Sequence, residues 1–147
     1  MTDRLYLDTE FNGFGGELIS LALVSPEGHE WYAAKTIQAA YHPWVAENVV
    51  PKLGAPLMPP AIFKDFFQGF VQGFSRSLKG GPTIICDWYS DAIHFLELLQ
   101  GDTHGMSLSF HGSIVIVRPP NGAAISANPH NALDDARALM EWHETTL

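Results

Sequence analysis

Short apolar runs separated by turn residues fill the first third of the chain, and longer helical runs alternate with strand-like ones after it. Residues 5–10 (Leu-Tyr-Leu-Asp-Thr-Glu) and 17–24 (Glu-Leu-Ile-Ser-Leu-Ala-Leu-Val) have the length and alternation of strands, and residues 29–34 read as a third. Asn12-Gly13-Phe14-Gly15-Gly16 and Ser25-Pro26-Glu27-Gly28 supply the turns between them, so antiparallel pairing is expected. A Pro-punctuated stretch then runs from His42-Pro43 through Trp44 to Val50, a short helix anchored by Trp44 and stopped near Pro51. With Pro56 and Pro59-Pro60 after it, this stretch reads as a mobile flap. Over residues 61–78, Ile62, Phe66, Phe70 and Phe74 recur every four positions, with Phe63, Phe67, Val71 and Leu78 beside them. That pattern predicts an amphipathic helix with a broad apolar stripe.

Gly80-Gly81-Pro82 ends this helix, residues 83–87 read as a short buried strand, and residues 90–99 as a helix. After Gly101-Asp102-Thr103-His104-Gly105 comes a β-rich stretch whose clearest strand is 114–117, broken by Pro119-Pro120-Asn121-Gly122. Asn128-Pro129 is expected to open the last helix, with Asn128 as N-cap and Pro129 in the first helical position. The order of elements is that of an α/β domain with a mixed sheet flanked by helices.

Composition narrows the function. The 147 residues, 46% of them hydrophobic, suit a single domain spanning 1–147 with one core. No apolar run approaches the roughly 18 to 20 residues that cross a bilayer, and Met1-Thr2-Asp3-Arg4 lacks the basic and apolar pattern of a leader, so a cytoplasmic protein without membrane contact is expected. Cys86 is the sole cysteine, which rules out an intramolecular disulfide and a multi-cysteine zinc site; inside Thr83-Ile84-Ile85-Cys86 it reads as a small core residue. Sixteen acids against eight Lys plus Arg argue against a long basic groove for duplex nucleic acid. They do not argue against a short strand end held through bound cations, which invert the sign of an acidic site.

Three acidic clusters stand at element ends: Asp8 with Glu10, Asp87 with Asp91, and Asp134 with Asp135. In a strand Asp8 and Glu10 share a face, and two carboxylates so placed repel each other unless protonated, solvated or bridged by a cation. Ligands of open α/β sheets gather outside the carboxyl ends of strands, where these clusters could converge. Oxygen-only ligands suit Mg²⁺ or Mn²⁺, and two such ions roughly 3.5 to 4 Å apart suit phosphodiester hydrolysis. His130 precedes Asp135 by five residues. On one helix the two would diverge by about 140°, which lets Asp135 reach the metals while the imidazole approaches the attacking water from the side. His29, His42, His94, His104, His111 and His143 have no comparable acidic setting and read as structural.

Asp8-Thr9-Glu10-Phe11, Asp87-Trp88-Tyr89-Ser90-Asp91 and His130-Asn131-Ala132-Leu133-Asp134-Asp135-Ala136 resemble, in order and spacing, the three motifs of the DEDDh 3′-to-5′ exonucleases. Glu17-Leu18-Ile19-Ser20 and Trp31-Tyr32 are similar to segments of the compact bacterial exoribonucleases related to ribonuclease T. The resemblance implies a ribonuclease H-like fold and two divalent ions, Mg²⁺ or Mn²⁺, on Asp8, Glu10, Asp91 and Asp135. It also implies His130 as general base and release of nucleoside 5′-monophosphates from the 3′ end of single-stranded RNA. Asp87 stands where the family often has Asn, so it competes with Asp91 for the metal; the motif frame selects Asp135 over Asp134, which reads as a first-turn acid favoured by the helix dipole.

Phe11, with the Asn12-Gly13 turn, either packs in the core or stacks on the terminal base, a contact worth about 1 to 3 kcal/mol. The expected partners are single-stranded 3′ ends, RNA ahead of DNA, and a second copy of the chain in a homodimer that supplies basic residues. Three other readings stay open: an exodeoxyribonuclease, a nucleic-acid-binding module of the same fold without catalysis, and a sugar hydrolase with paired carboxylates. The last accounts for Asp8 and Glu10 but not for His130 or Asp135.

Overall fold

The computed structural model describes residues 2–101 and 110–147. Strands β1 (Arg4–Phe11), β2 (Leu18–Val24) and β3 (Glu30–Lys35) form an antiparallel meander. Helix α1 (Pro43–Asn48), a 3-10 turn at Val50–Lys52 and strand β4 (Leu57–Met58) follow. Helix α2 (Pro60–Ser75) leads to β5 (Thr83–Cys86), α3 (Tyr89–Leu98), β6 (Ser113–Ile116) and α4 (Ala132–Thr146). The sheet order is β4-β3-β2-β1-β5-β6, with β5 parallel to β1, β6 parallel to β5, and β4 parallel to β3. This α/β arrangement has ribonuclease H-like topology. The loop at 101–105, with His104, and the start of the β-rich stretch after it fall largely on 102–109, outside the described residues. No helix among the described residues is long and apolar enough to cross a membrane.

The two-residue period of β1 divides the core. Leu5 and Leu7 join Phe63 and Phe67 of α2 and Phe95 of α3 on one side, while Tyr6 joins Ala132, Ala136 and Leu139 of α4 on the other. Helices therefore cover both faces, and β2 is buried along its whole length in spite of its alternating sequence.

Three details differ from the sequence expectation. The buried stripe of α2 is Phe63, Phe67, Val71 and Phe74, whereas Ile62 and Phe66 are 46% and 58% exposed. A strict four-residue repeat drifts by about 40° per step around a helix of 3.6 residues per turn, so the row from Ile62 to Phe74 winds from solvent into the core. The stretch expected as a flap is packed: Val45, Val49 and Leu53 form a small core with Ile19 and Ala34, and Val45 and Val49, not the exposed Trp44, are its anchors. The last helix begins at Ala132, capped by Asn131, whose side chain accepts the Asp134 N–H at 3.0 Å. Asn128 and Pro129 lie in the turn before it, because His130 has φ +73°, a left-handed conformation that no right-handed helix contains.

Phe67 packs edge-on against Trp31 and Phe95 at 5.8 and 5.4 Å between ring centres. Phe67→Ala is expected to cost about 3 to 5 kcal/mol in urea denaturation, and Phe66→Ala about 0.5 kcal/mol or less. Equal costs would show that the stripe has been assigned to the wrong face.

Candidate metal centre

The carboxyl end of β1 lies between its antiparallel partner β2 and its parallel partner β5. It presents Asp8 and Glu10 there, just before a register shift between Glu10 and Phe11. Asp87 follows the end of β5, Asp91 lies in the first turn of α3, and Asp135 in the first turn of α4. These five acids form two groups whose carboxylate oxygens lie within 4.8 Å of one another: Asp8 with Asp87 and Asp91, and Asp8 with Glu10 and Asp135. Asp8 belongs to both. Asp134 points away and pairs with Arg137 at 3.4 Å.

Burial and mutual repulsion make this arrangement costly when metal-free. Burial, then the charges of Asp135 and Asp91, push Glu10 up to about 8. Burial pushes Asp91 up to about 7 against the opposing hydrogen bond from Thr9, whose Oγ1 donates to Asp91 Oδ1 at 2.6 Å. Asp8 is raised well above the usual carboxylate range by burial and by the charges of Asp91, Glu10, Asp135 and Asp87. Asp87 and Asp135 are raised too, chiefly by burial. Asp91 is 2% exposed, and both its Oδ2 and that of Asp8 are buried without a hydrogen-bond partner among the described residues. Orphaned, repelling, oxygen-only donors fit metal ions, which would satisfy the lone pairs and offset the charge together.

His130 stands beside this centre in the turn before α4. Its backbone N–H donates to Asp135 Oδ2 at 3.1 Å, and its ring stands nearly perpendicular to that of Trp44, 5.0 Å between centres. It is the one non-glycine residue with positive φ among the described residues. A left-handed backbone costs about 1 to 2 kcal/mol, and neighbours hold it. Lys52 Nζ donates to the Pro129 carbonyl at 2.9 Å, and Asn131 Nδ2 donates to the Lys52 carbonyl at 2.8 Å. The 140° divergence expected within one helix does not apply, since only Asp135 is helical; the hydrogen bond sets their separation instead.

Next to Glu10 opens a cleft of about 670 Å³ lined by Phe11, Asn12, Gly13, Phe14, His42 and Trp44, among others. Phe11 is half-buried on the α3 side, 5.3 Å from the His94 ring and 6.3 Å from Phe14. Asn12 spans the turn, its Nδ2 donating to the Ala40 carbonyl at 3.0 Å and its Oδ1 accepting from the His42 N–H at 2.7 Å. Gly13 has φ +76°, and a Cβ on Gly16 would sit 2.0 Å from the Asn12 carbonyl oxygen. Only glycines permit a turn this tight, and it thrusts Phe14 outward, 84% exposed.

The structure thus brings Asp8, Glu10, Asp91, Asp135 and His130 together and sets Phe11, Asn12 and Gly13 at the adjoining cleft. Asp87 joins the cluster alongside Asp91 instead of replacing it. Phe14 was missed, though a lone aromatic flanked by Gly13, Gly15 and Gly16 has nothing local to bury it, and that was its signal. Trp44, read in sequence as a helix anchor or a second aromatic contact, instead meets the His130 ring, and Lys52, which holds the turn through Pro129, carried no signal in sequence. Cys86 is fully buried and its thiol is pushed up to about 12, mainly by burial, as suits a core residue. No family model matches the chain, and no curated protein matches it in sequence.

Proposed function

We propose that the protein is a metal-dependent 3′-to-5′ exonuclease acting on single-stranded nucleic acid, RNA ahead of DNA. The observation that carries this reading is the shared position of Asp8, common to two carboxylate triads at one strand end. Asp8, Asp87 and Asp91 would hold one ion, and Asp8, Glu10 and Asp135 the other. An all-oxygen donor set suits Mg²⁺ or Mn²⁺ and suits zinc poorly. Bound there, such ions supply charge stabilisation for the attacking and leaving oxygens of an in-line displacement.

The residues of the chain do the rest. The cleft beside Glu10, about 670 Å³, is large enough for a nucleoside, and the choice of a 3′ strand end rests on the resemblance to the DEDDh exonucleases. Phe11, Phe14 and, from α1, Trp44 offer aromatic surfaces for its base, and Asn12 and Gly13 shape the turn between the two phenylalanines. His130 takes the proton from the attacking water; as the new oxygen–phosphorus bond forms, the bond from phosphorus to the 3′ oxygen breaks, and a solvent water gives the leaving oxygen its proton. The products are a nucleoside 5′-monophosphate and a strand one residue shorter with a free 3′ hydroxyl. Preference for RNA rests on the resemblance to the ribonuclease T-like enzymes.

The test is digestion of 5′-labelled single-stranded RNA and DNA with Mn²⁺, with and without chelator. Stepwise shortening from the 3′ end that stops with chelator is expected, and RNA should be degraded faster. His130→Asn is expected to lose about 10² to 10⁴-fold in rate while keeping Mn²⁺ binding in calorimetric titration. Intact strands of both kinds would refute the reading, and a His130→Asn enzyme of normal rate would remove the histidine from it.

A further inference from the structure

Resting on that reading, we propose that Arg118 anchors the phosphate on the 5′ side of the scissile bond, so that a substrate strand runs across the sheet end from β1 to β6. A census of cations points to it, because the chain has only eight Lys and Arg for a polyanionic substrate. Arg4 is held in both directions by Glu144, and Arg137 by Glu30 and Asp134. Lys64 donates to the Gln100 carbonyl, and Lys35 donates to the Thr36 carbonyl beside Glu17. Arg76 and Lys79 line a cleft with Gly81 and His111, which precede β5 and β6 at the end of the sheet opposite the acids. Lys52 and Arg118 remain, and they flank the carboxylates.

Lys52 acts on Glu10, on the side of the cleft, and its Nζ is already held by Pro129. Arg118 acts on Asp87, on the other side. The parallel pairing of Cys86 with Ile116 continues through the Val117 N–H, which donates to the Cys86 carbonyl at 2.8 Å. This register brings Arg118 beside Trp88, and its guanidinium lies 4.9 Å from the centre of the indole. Trp88 in turn packs at 5.0 Å on Tyr89, which is 53% exposed. Among the described residues Arg118 makes no hydrogen bond or ion pair, and it is exposed.

A guanidinium stacked on an aromatic face keeps its plane while its N–H groups stay available, the geometry suited to bidentate phosphate binding. Sheet order sets the direction. The cleft lies by β1, the carboxylates at the ends of β1 and β5, and Arg118 just past β6. A strand whose terminal nucleoside fills the cleft therefore meets the metal centre first and Arg118 next, with Tyr89 beside it to receive a base.

The test is fluorescence anisotropy with a short single-stranded RNA in Ca²⁺, to slow hydrolysis. The RNA carries either its natural phosphates or one uncharged methylphosphonate immediately 5′ of the scissile position. With wild type, the methylphosphonate is expected to weaken binding about 10-fold and to reduce the salt slope by about 0.7. Arg118→Ala should bind the natural strand about 10-fold more weakly and no longer distinguish the two, with an unchanged melting temperature. Arg118→Lys should recover part of the discrimination. Discrimination that survives in Arg118→Ala, or none in wild type, overturns the assignment while leaving the exonuclease reading intact if wild type degrades the natural strand with Mn²⁺. Wild type that neither binds nor degrades it ends both.

Discussion

Under the proposed function, Asp8→Asn is expected to lose RNA hydrolysis by about 10³-fold or more while making the metal-free protein more stable. Asp8 is common to both carboxylate triads, so under the proposed function its loss weakens both candidate metal positions at once. Changing a residue that merely supports a metal ligand costs about 10 to 100-fold; loss of a shared ligand should exceed that, at about 10³-fold or more. Stability should move the opposite way. The buried Oδ2 of Asp8 lacks a hydrogen-bond partner among the described residues, and four other carboxylates act on it. Asn keeps the shape and removes the charge. In chelator at pH 8 its melting temperature should rise by about 5 °C. The decisive comparison is labelled-strand digestion and thermal melting on one preparation. Activity within tenfold of wild type would show that Asp8 is not shared, and a lower metal-free melting temperature would show that its charge is already compensated.

The second large effect is a dependence of stability on pH that metal removes. Unfolded carboxyls titrate near 4, whereas in the folded protein Asp91 rises to about 7 and Glu10 to about 8. Between these limits the folded state binds more protons than the unfolded state, so metal-free stability falls as pH rises from about 4 to about 8. Asp8, Asp87 and Asp135 are raised as well and act in the same direction. Metal binds the ionised form, so added Mn²⁺ should stabilise little at pH 5 and much at pH 8. Melting curves should show the chelated protein losing on the order of 5 °C or more between pH 5 and pH 8, with Mn²⁺ restoring it. A chelated protein of constant or rising stability across that range would mean that the acids are solvated, and one that Mn²⁺ leaves unstabilised at pH 8 would mean that the centre is no metal site.

Much of the fold was legible because its elements announce themselves locally. β1, β2 and β3 follow from alternating residues bounded by Gly-rich and Pro-Glu-Gly turns, and α2 from its apolar stripe. The errors arose where the outcome depended on a partner. Ile62 and Phe66 look as apolar as Phe63 and Phe67, and only the placement of α2 over β1 decides which pair is covered. Asn128-Pro129 is a sound helix start by composition, yet the turn holding His130 in a left-handed conformation moves the start to Ala132. Trp44 is apolar enough to anchor α1, but the small core beneath it is already filled by Val45 and Val49.

The candidate site divides in the same way. Sequence alone determined the chemistry on offer: which acids stand at the ends of strands and helices, one histidine near the last pair, and a charge balance that limits how a polyanion could be held. Those follow from residue type and from periods of two and 3.6, which act over a few residues. Only the tertiary structure decided that Asp8 lies in both carboxylate groups, that Asp87 stands in one of them with Asp91, and that Arg118 lies one strand beyond them. Carboxylate repulsion, burial and cation placement depend on distances between segments 80 or more residues apart in the chain, as between Thr9 and Asp91. Such distances are set by the order in which β1, β5 and β6 pair, which no local pattern of residues encodes.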